Sequence, residues 1–269
     1  MKKFSLGFFL FFIFLFLSFN KHSKDNYQNY HSVIWADAAG YYVYNPIWFI
    51  YGNNFQNFPS DIISKTGNGF SFDGKTGRVA TKYTSGVAIL QIPFFLGAHF
   101  LSGMFGFPSD GFSMIYYWGI MIAACFYGLL GLVFSYLFLH RRFSKFHSLL
   151  TVSIFFLATN LYYYIIDASG MLHVYSFFLI SLIAYMTSRV SEHPRLKNFL
   201  FLFIPLTLAV LIRPTNIILV LFVLFFSTNQ SNIFQRKLIF AKEHFVPIII
   251  AFIFSIVIFI PQFIYWKQC

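Results

Sequence analysis

The chain has 269 residues, 58% hydrophobic and only 10% charged, too little polar surface to enclose its Phe, Leu and Ile as a water-soluble domain. Its formal net charge of +11 is spread over short loops between apolar segments, as membrane orientation requires, so no nucleic-acid partner is expected. Cys125 falls inside an apolar stretch and Cys269 ends the sequence, a usage that suggests neither a disulfide framework nor a zinc site.

The expected fold is all-α: a single domain over 1–269, built as a polytopic bundle of transmembrane helices. Several stretches approach or exceed the roughly 20 residues that cross about 30 Å of hydrocarbon. The first is 5–19, after Met1-Lys2-Lys3. A secretory signal has a similar basic start and short apolar core, but Asn20-Lys21-His22-Ser23 offers no small-x-small cleavage pattern. We read an uncleaved first helix with its N-terminus in the cytoplasm.

Residues 20–83 are the long polar stretch and hold Asp25, Asp37, Asp61 and Asp73. They are expected to form an outer loop carrying short interfacial helices. Trp35 to Tyr51 (WADAAGYYVYNPIWFIY), broken by Pro46, reads as a short helix along the outer membrane face with its aromatics in the headgroup layer. Gly67, Gly69, Gly74 and Gly77 then mark a flexible turn region.

Further apolar segments follow at 84–107, 112–139, 149–166, 171–188, 199–227 and 246–266. Pro214 lacks a backbone donor, so 199–227 reads as two short helices meeting at Arg213-Pro214-Thr215-Asn216. The basic loops 140–148, 189–198 and 228–245 belong in the cytoplasm. That places loop 20–83, 108–111, 167–173 and Arg213 outside. Segment 84–107 then has the same side at both ends, although its length suits one crossing. A re-entrant pair broken near Pro93 or Gly97 reconciles the two, as does one basic loop that disobeys the rule.

A charge at the centre of a membrane helix costs roughly 2.5–3.5 kcal/mol, which draws attention to Asp37, Lys82, Asp167, His173 and Arg213. Asp37 stands among small and aromatic residues that leave room for a ligand and a stacking face for a sugar; as a helix N-cap it would need no ligand. Lys82-Tyr83 marks the return to the membrane, where a lysine binds phosphate as a point charge or snorkels to headgroups. Asp167 and His173 flank the turn DASGMLH as acid/base or metal-ligand candidates, or as a helix cap and a satisfied interfacial histidine; two residues do not make a metal site. No Walker loop, dinucleotide fingerprint or serine-hydrolase elbow is present.

The order of these features resembles the N-terminal part of polytopic glycosyltransferases of the GT-C type, the class of protein O-mannosyltransferases and lipid A aminoarabinose transferases. The matching pieces are WADAAGYYVYNP with Asp37, KYTSGVAILQIPFF with Lys82, DASGMLHVYSFF with Asp167 and His173, and LIRPTN with Arg213, spread over about 1–266. Members commonly carry a paired acidic motif in the first loop, whereas Asp37 has Ala on both sides. They also run longer, so the chain is expected to be a partial sequence.

The resemblance implies transfer of a sugar from a polyprenyl-phosphate donor to a glycan, lipid or protein acceptor at the outer face of a bacterial inner (plasma) membrane. Asp37 would be the catalytic base, and Lys82, Tyr83, Asp167, His173 and Arg213 would bind substrate. The cofactor is left open, a divalent metal among the options. A lipid-linked saccharide transporter or flippase, and an inactive remnant of a transferase, remain as alternatives. Polar residues along a continuous path across the bilayer would favour transport; charges confined to one outer cavity would favour transfer.

Overall fold

The computed structural model describes residues 2–24, 33–192, 195–226 and 233–268; Asp25 and Cys269 lie outside these. The fold is an all-α bundle. Helix α1 (Lys2–Ser23) is followed by short helices α2 (Asp37–Tyr42), α3 (Tyr44–Pro46) and α4 (Ile62–Thr66), and by a two-stranded hairpin of β1 (Ser71–Phe72) and β2 (Val79–Ala80). Then come α5 (Gly86–Phe105), α6 (Met114–Leu139), α7 (Lys145–Leu157), α8 (Leu161–Ile166), α9 (Leu172–Glu192), α10 (Leu196–Ile212), a 3₁₀ turn (Pro214–Ile218), α11 (Leu219–Phe225), α12 (Ile233–Glu243) and α13 (Phe245–Gln268). Four of these, α5, α6, α9 and α13, are long and apolar enough to cross a membrane, and the protein is an integral membrane protein.

Helices α6 and α9 run parallel. Gly131 faces Phe177, Ser135 bonds Ser181 and Arg141 pairs with Glu192, so the register offset stays nearly constant. Parallel neighbours need a return crossing between them, and α7 and α8 provide it. The apolar segment expected over 149–166 is thus two helices. The Thr159 hydroxyl donates to the Phe155 carbonyl and accepts from the Leu161 amide, closing one helix and opening the next.

Segment 84–107 is one continuous helix, not a re-entrant pair; Pro93 lies inside it without ending it. It runs antiparallel to the first half of α6, with Leu90 accepting from Tyr127 and His99 bonded to Tyr116. Both of its ends meet the polar loop. Tyr44 bonds the Tyr83 carbonyl at one end, and Lys65 pairs with Asp110 beyond the other.

Most of the aromatic stretch 35–51 is packed inside the protein and not laid along its surface, although Trp35 and Phe49 stay exposed. Ala38 to Ile47 are buried, and Tyr42, Phe95, Phe112, Tyr116 and Tyr117 form a core between loop and α5–α6 hairpin. Pro46 does not break the run, which continues as a π-helical turn (Ile47–Tyr51) and stops at Gly52 with φ 64°. The break at Arg213–Asn216 is as read: α10 ends there, the Asn216 amide donates to the Ala209 carbonyl, and Pro214 opens the 3₁₀ turn.

Candidate functional site

The return segment of the loop and the turn before α9 pack against α2 and the residues ahead of it, and the end of α10 packs against that return segment. Gly170, in the turn before α9, packs against the Val33 carbonyl; a side-chain carbon there would stand 2.1 Å from that oxygen. The Thr84 hydroxyl donates to the Ile212 carbonyl, which fixes the Lys82 segment to the end of α10. These close backbone approaches bring together chain segments carrying Asp37, Lys82, Tyr83, His173 and Arg213.

Asp37 is the first residue of α2, exposed, and makes no capping bond; the residue ahead of it, Ala36, takes the N-cap place. The capping explanation of this carboxylate is therefore set aside. Ala36 has φ 48°, a conformation that costs a non-glycine residue about 1–3 kcal/mol and persists only where its surroundings impose it. Here the Ala36 amide donates to the Thr66 carbonyl, the Gly40 amide donates to the Ala36 carbonyl, and Gly69 lies against that same oxygen. The glycines of 67–77 thus include a packing surface as well as a turn.

Tyr41 and Tyr83 stand ring against ring, 4.2 Å between centroids. The Tyr83 hydroxyl is buried without a hydrogen-bond partner among the described residues. Burial, and then the neighbouring Asp37 carboxylate, raise its pKa well above the tyrosine range, although the two do not complete a hydrogen bond. Burial first, then the Asp37 charge, push the Tyr41 phenol up to about 12, with the Arg213 charge acting against them. Arg213 also acts on the imidazole of His173, which stacks on Tyr164 at 3.9 Å. Tyr41 thus feels charges of both signs, and nothing in its local sequence signals that role.

The Lys82 ammonium is exposed and lies 5.1 Å over the Tyr83 ring. Among the described residues neither Lys82, Arg213 nor Asp37 is held in an ion pair. Asp167 differs: its carboxylate pairs with Lys21 of α1 at 3.3 Å, beside the bonds from Ser18 and His22 to the Ile166 carbonyl. It ties α1 to α8. No group of three or more His, Cys, Asp and Glu among the described residues is placed to hold a metal ion.

At the other ends of α6 and α9, Arg141 pairs with Glu192. Between the two charged ends lies a core of apolar and tyrosine side chains, with Leu90, Ile165, Leu179 and Ile183 among them. An apolar groove of about 330 Å³ runs between α10, the 3₁₀ turn and α13, lined by Phe203, Val210, Ile217, Phe252 and Phe259 among others. Val210 and Ile217 flank Arg213 in the chain.

No family model, curated protein or solved structure matches the chain.

Proposed function

We propose that the protein is a membrane glycosyltransferase of the GT-C kind, moving a sugar from a polyprenyl-phosphate donor to a hydroxyl acceptor at the outer membrane face. The observation that carries this reading is the Asp37 carboxylate on a strained, tightly braced backbone, with Lys82 on the segment bonded to α2 and Arg213 at the end of α10 bonded to that segment, none of the three in an ion pair among the described residues.

In this reading Asp37 takes the proton of the acceptor hydroxyl as its oxygen attacks the anomeric carbon. The bond from that carbon to the phosphate oxygen breaks, and the polyprenyl phosphate leaves with the electron pair. Lys82 and Arg213 stabilise the charge that develops on the departing phosphate. Tyr83 turns its hydroxyl to the Asp37 carboxylate and, with Tyr41, presents an aromatic wall to the sugar. The groove beside Arg213 takes the apolar tail, so the reacting atoms are held in register. Loop 33–83 faces the outer side and the Arg141–Glu192 end faces the cytoplasm.

Transport is the weaker reading, because the core between the two charged ends is built mainly of apolar side chains. The test is to supply proteoliposomes with a labelled polyprenyl-phosphate sugar and outer-face acceptors. Label on the acceptor with release of polyprenyl phosphate supports transfer; intact donor appearing on the opposite leaflet supports transport.

A further inference from the structure

Helix α13 is apolar along most of its length and presents Phe252, Ile253, Phe254, Val257 and Ile260 outward. The two α13 residues that are buried are Gln262 and Tyr265. A buried amide in an apolar helix is unfavourable unless its hydrogen bonds are made. Those of Gln262 go to the segment around Lys82. Its Oε1 accepts from the Ser85 amide at 2.7 Å, and its Nε2 donates to the Tyr44 hydroxyl at 3.2 Å. That hydroxyl in turn donates to the Tyr83 carbonyl at 2.6 Å.

Tyr265 holds the other flank. Its hydroxyl accepts from the Thr81 amide at 2.6 Å and donates to the Val79 carbonyl at 3.1 Å. Backbone groups of Val79, Thr81, Tyr83 and Ser85 are thus fixed from α13, directly or through Tyr44. Lys82, in the middle, keeps an exposed side chain. Arg78 adds a bond to the Gln268 carbonyl at the end of the same helix, at 2.7 Å.

We propose that Gln262 and Tyr265 are positioning residues that set where the Lys82 ammonium meets the phosphate of a lipid-linked ligand. The phosphate rests on the function proposed above; the latch rests on the hydrogen bonds alone. A helix free on its outer side and bonded at its end to the Lys82 segment couples the placement of that cation to its own position.

The test uses the whole chain in phospholipid nanodiscs, with a polyprenyl monophosphate as probe. Tyr265→Phe removes a single oxygen and keeps the ring. It is expected to speed amide exchange in 79–85 and to weaken probe binding, each about tenfold, as the loss of one or two hydrogen bonds implies. In a Lys82→Ala background the same substitution is expected to cause no further loss of binding, since the two residues act through one contact. Thr151→Ala, whose hydroxyl bonds within α7, should change neither quantity. Unchanged exchange in Tyr265→Phe overturns the latch. So does an equal loss of binding with and without Lys82, because α13 would then act by another route. If the unaltered protein does not bind the probe, the lipid-phosphate reading fails, and the exchange measurement still decides the latch. Gln262→Leu, expected to free the Ser85 amide, repeats the exchange measurement independently.

Discussion

Gly69 lies against the carbonyl of Ala36 so closely that a side-chain carbon added to it would stand 1.9 Å from that oxygen. The contact braces the residue of unusual backbone that directly precedes Asp37. Gly69→Ala forces the loop off Ala36, and overpacking of this kind costs about 1–3 kcal/mol. The expected result is a lower melting temperature in detergent together with loss of the site's activity. A variant that melts and functions like the unaltered protein contradicts the bracing role.

Asp167 and the cations Lys82 and Arg213 should separate on mutation. Lys82→Ala and Arg213→Ala are expected to slow transfer by about 10²–10³-fold, the usual effect of removing one group that stabilises developing charge. Asp167→Asn breaks a partly exposed ion pair with Lys21, worth at most about 1 kcal/mol, and should leave transfer within a few-fold. Kinetics and melting curves on the same preparations check both. Collapse of transfer in a well-folded Asp167→Asn protein would return that residue to the site.

The packing also predicts sidedness. Both ends of α5 meet the same polar loop, so cysteines replacing Lys75 and Ser109 should react with an impermeant thiol reagent from one side. A cysteine replacing Lys145, the first residue of α7, should react from the other. The background would carry Ser at Cys125 and Cys269. Labelling of positions 75 and 109 from opposite sides contradicts the arrangement of the hairpin.

Alkali should weaken the fold through identifiable groups. Tyr41 is pushed up to about 12 by burial and then by Asp37. Burial alone would lower the pKa of Lys65, but Asp110 and Asp61 outweigh it and raise the value. Both groups hold their protons more tightly folded than unfolded, so the linked stability is full below about pH 10 and falls as the pH rises beyond it. Tyr41→Phe should flatten the fall in melting temperature between pH 10 and about 12. An unchanged slope would show that this phenol does not titrate in the unfolding transition.

The apolar segments, the polar loop and the break at Pro214 were legible in the sequence because each follows from local composition or a missing backbone donor. The division at Thr159 was not, since a threonine inside an apolar run signals a break only when its hydroxyl closes one helix and opens the next. Burial of the aromatic loop helix was also hidden, because tyrosines suit the headgroup layer and a polar-edged core alike. Asp37, Lys82, Tyr83, His173 and Arg213 could be picked out as charged or polar groups at membrane edges, and chain segments far apart in sequence bring them together. The pairing of Asp167 with Lys21 was not legible, since that partner lies in the first helix. The Gln262 and Tyr265 bonds span 177 and 184 residues, a separation at which residue type alone carries no signal.

The most direct measurement is transfer by Asp37→Asn beside the unaltered protein, in proteoliposomes with a polyprenyl-phosphate sugar and an acceptor. The substitution keeps the shape of the side chain and removes its capacity to take a proton. Transfer is expected to fall by about 10²–10⁴-fold, the contribution of a general base, while insertion and melting stay as they were. Transfer that persists in the asparagine variant at the unaltered rate would contradict the assignment of Asp37 and, with it, the centre of the proposed mechanism.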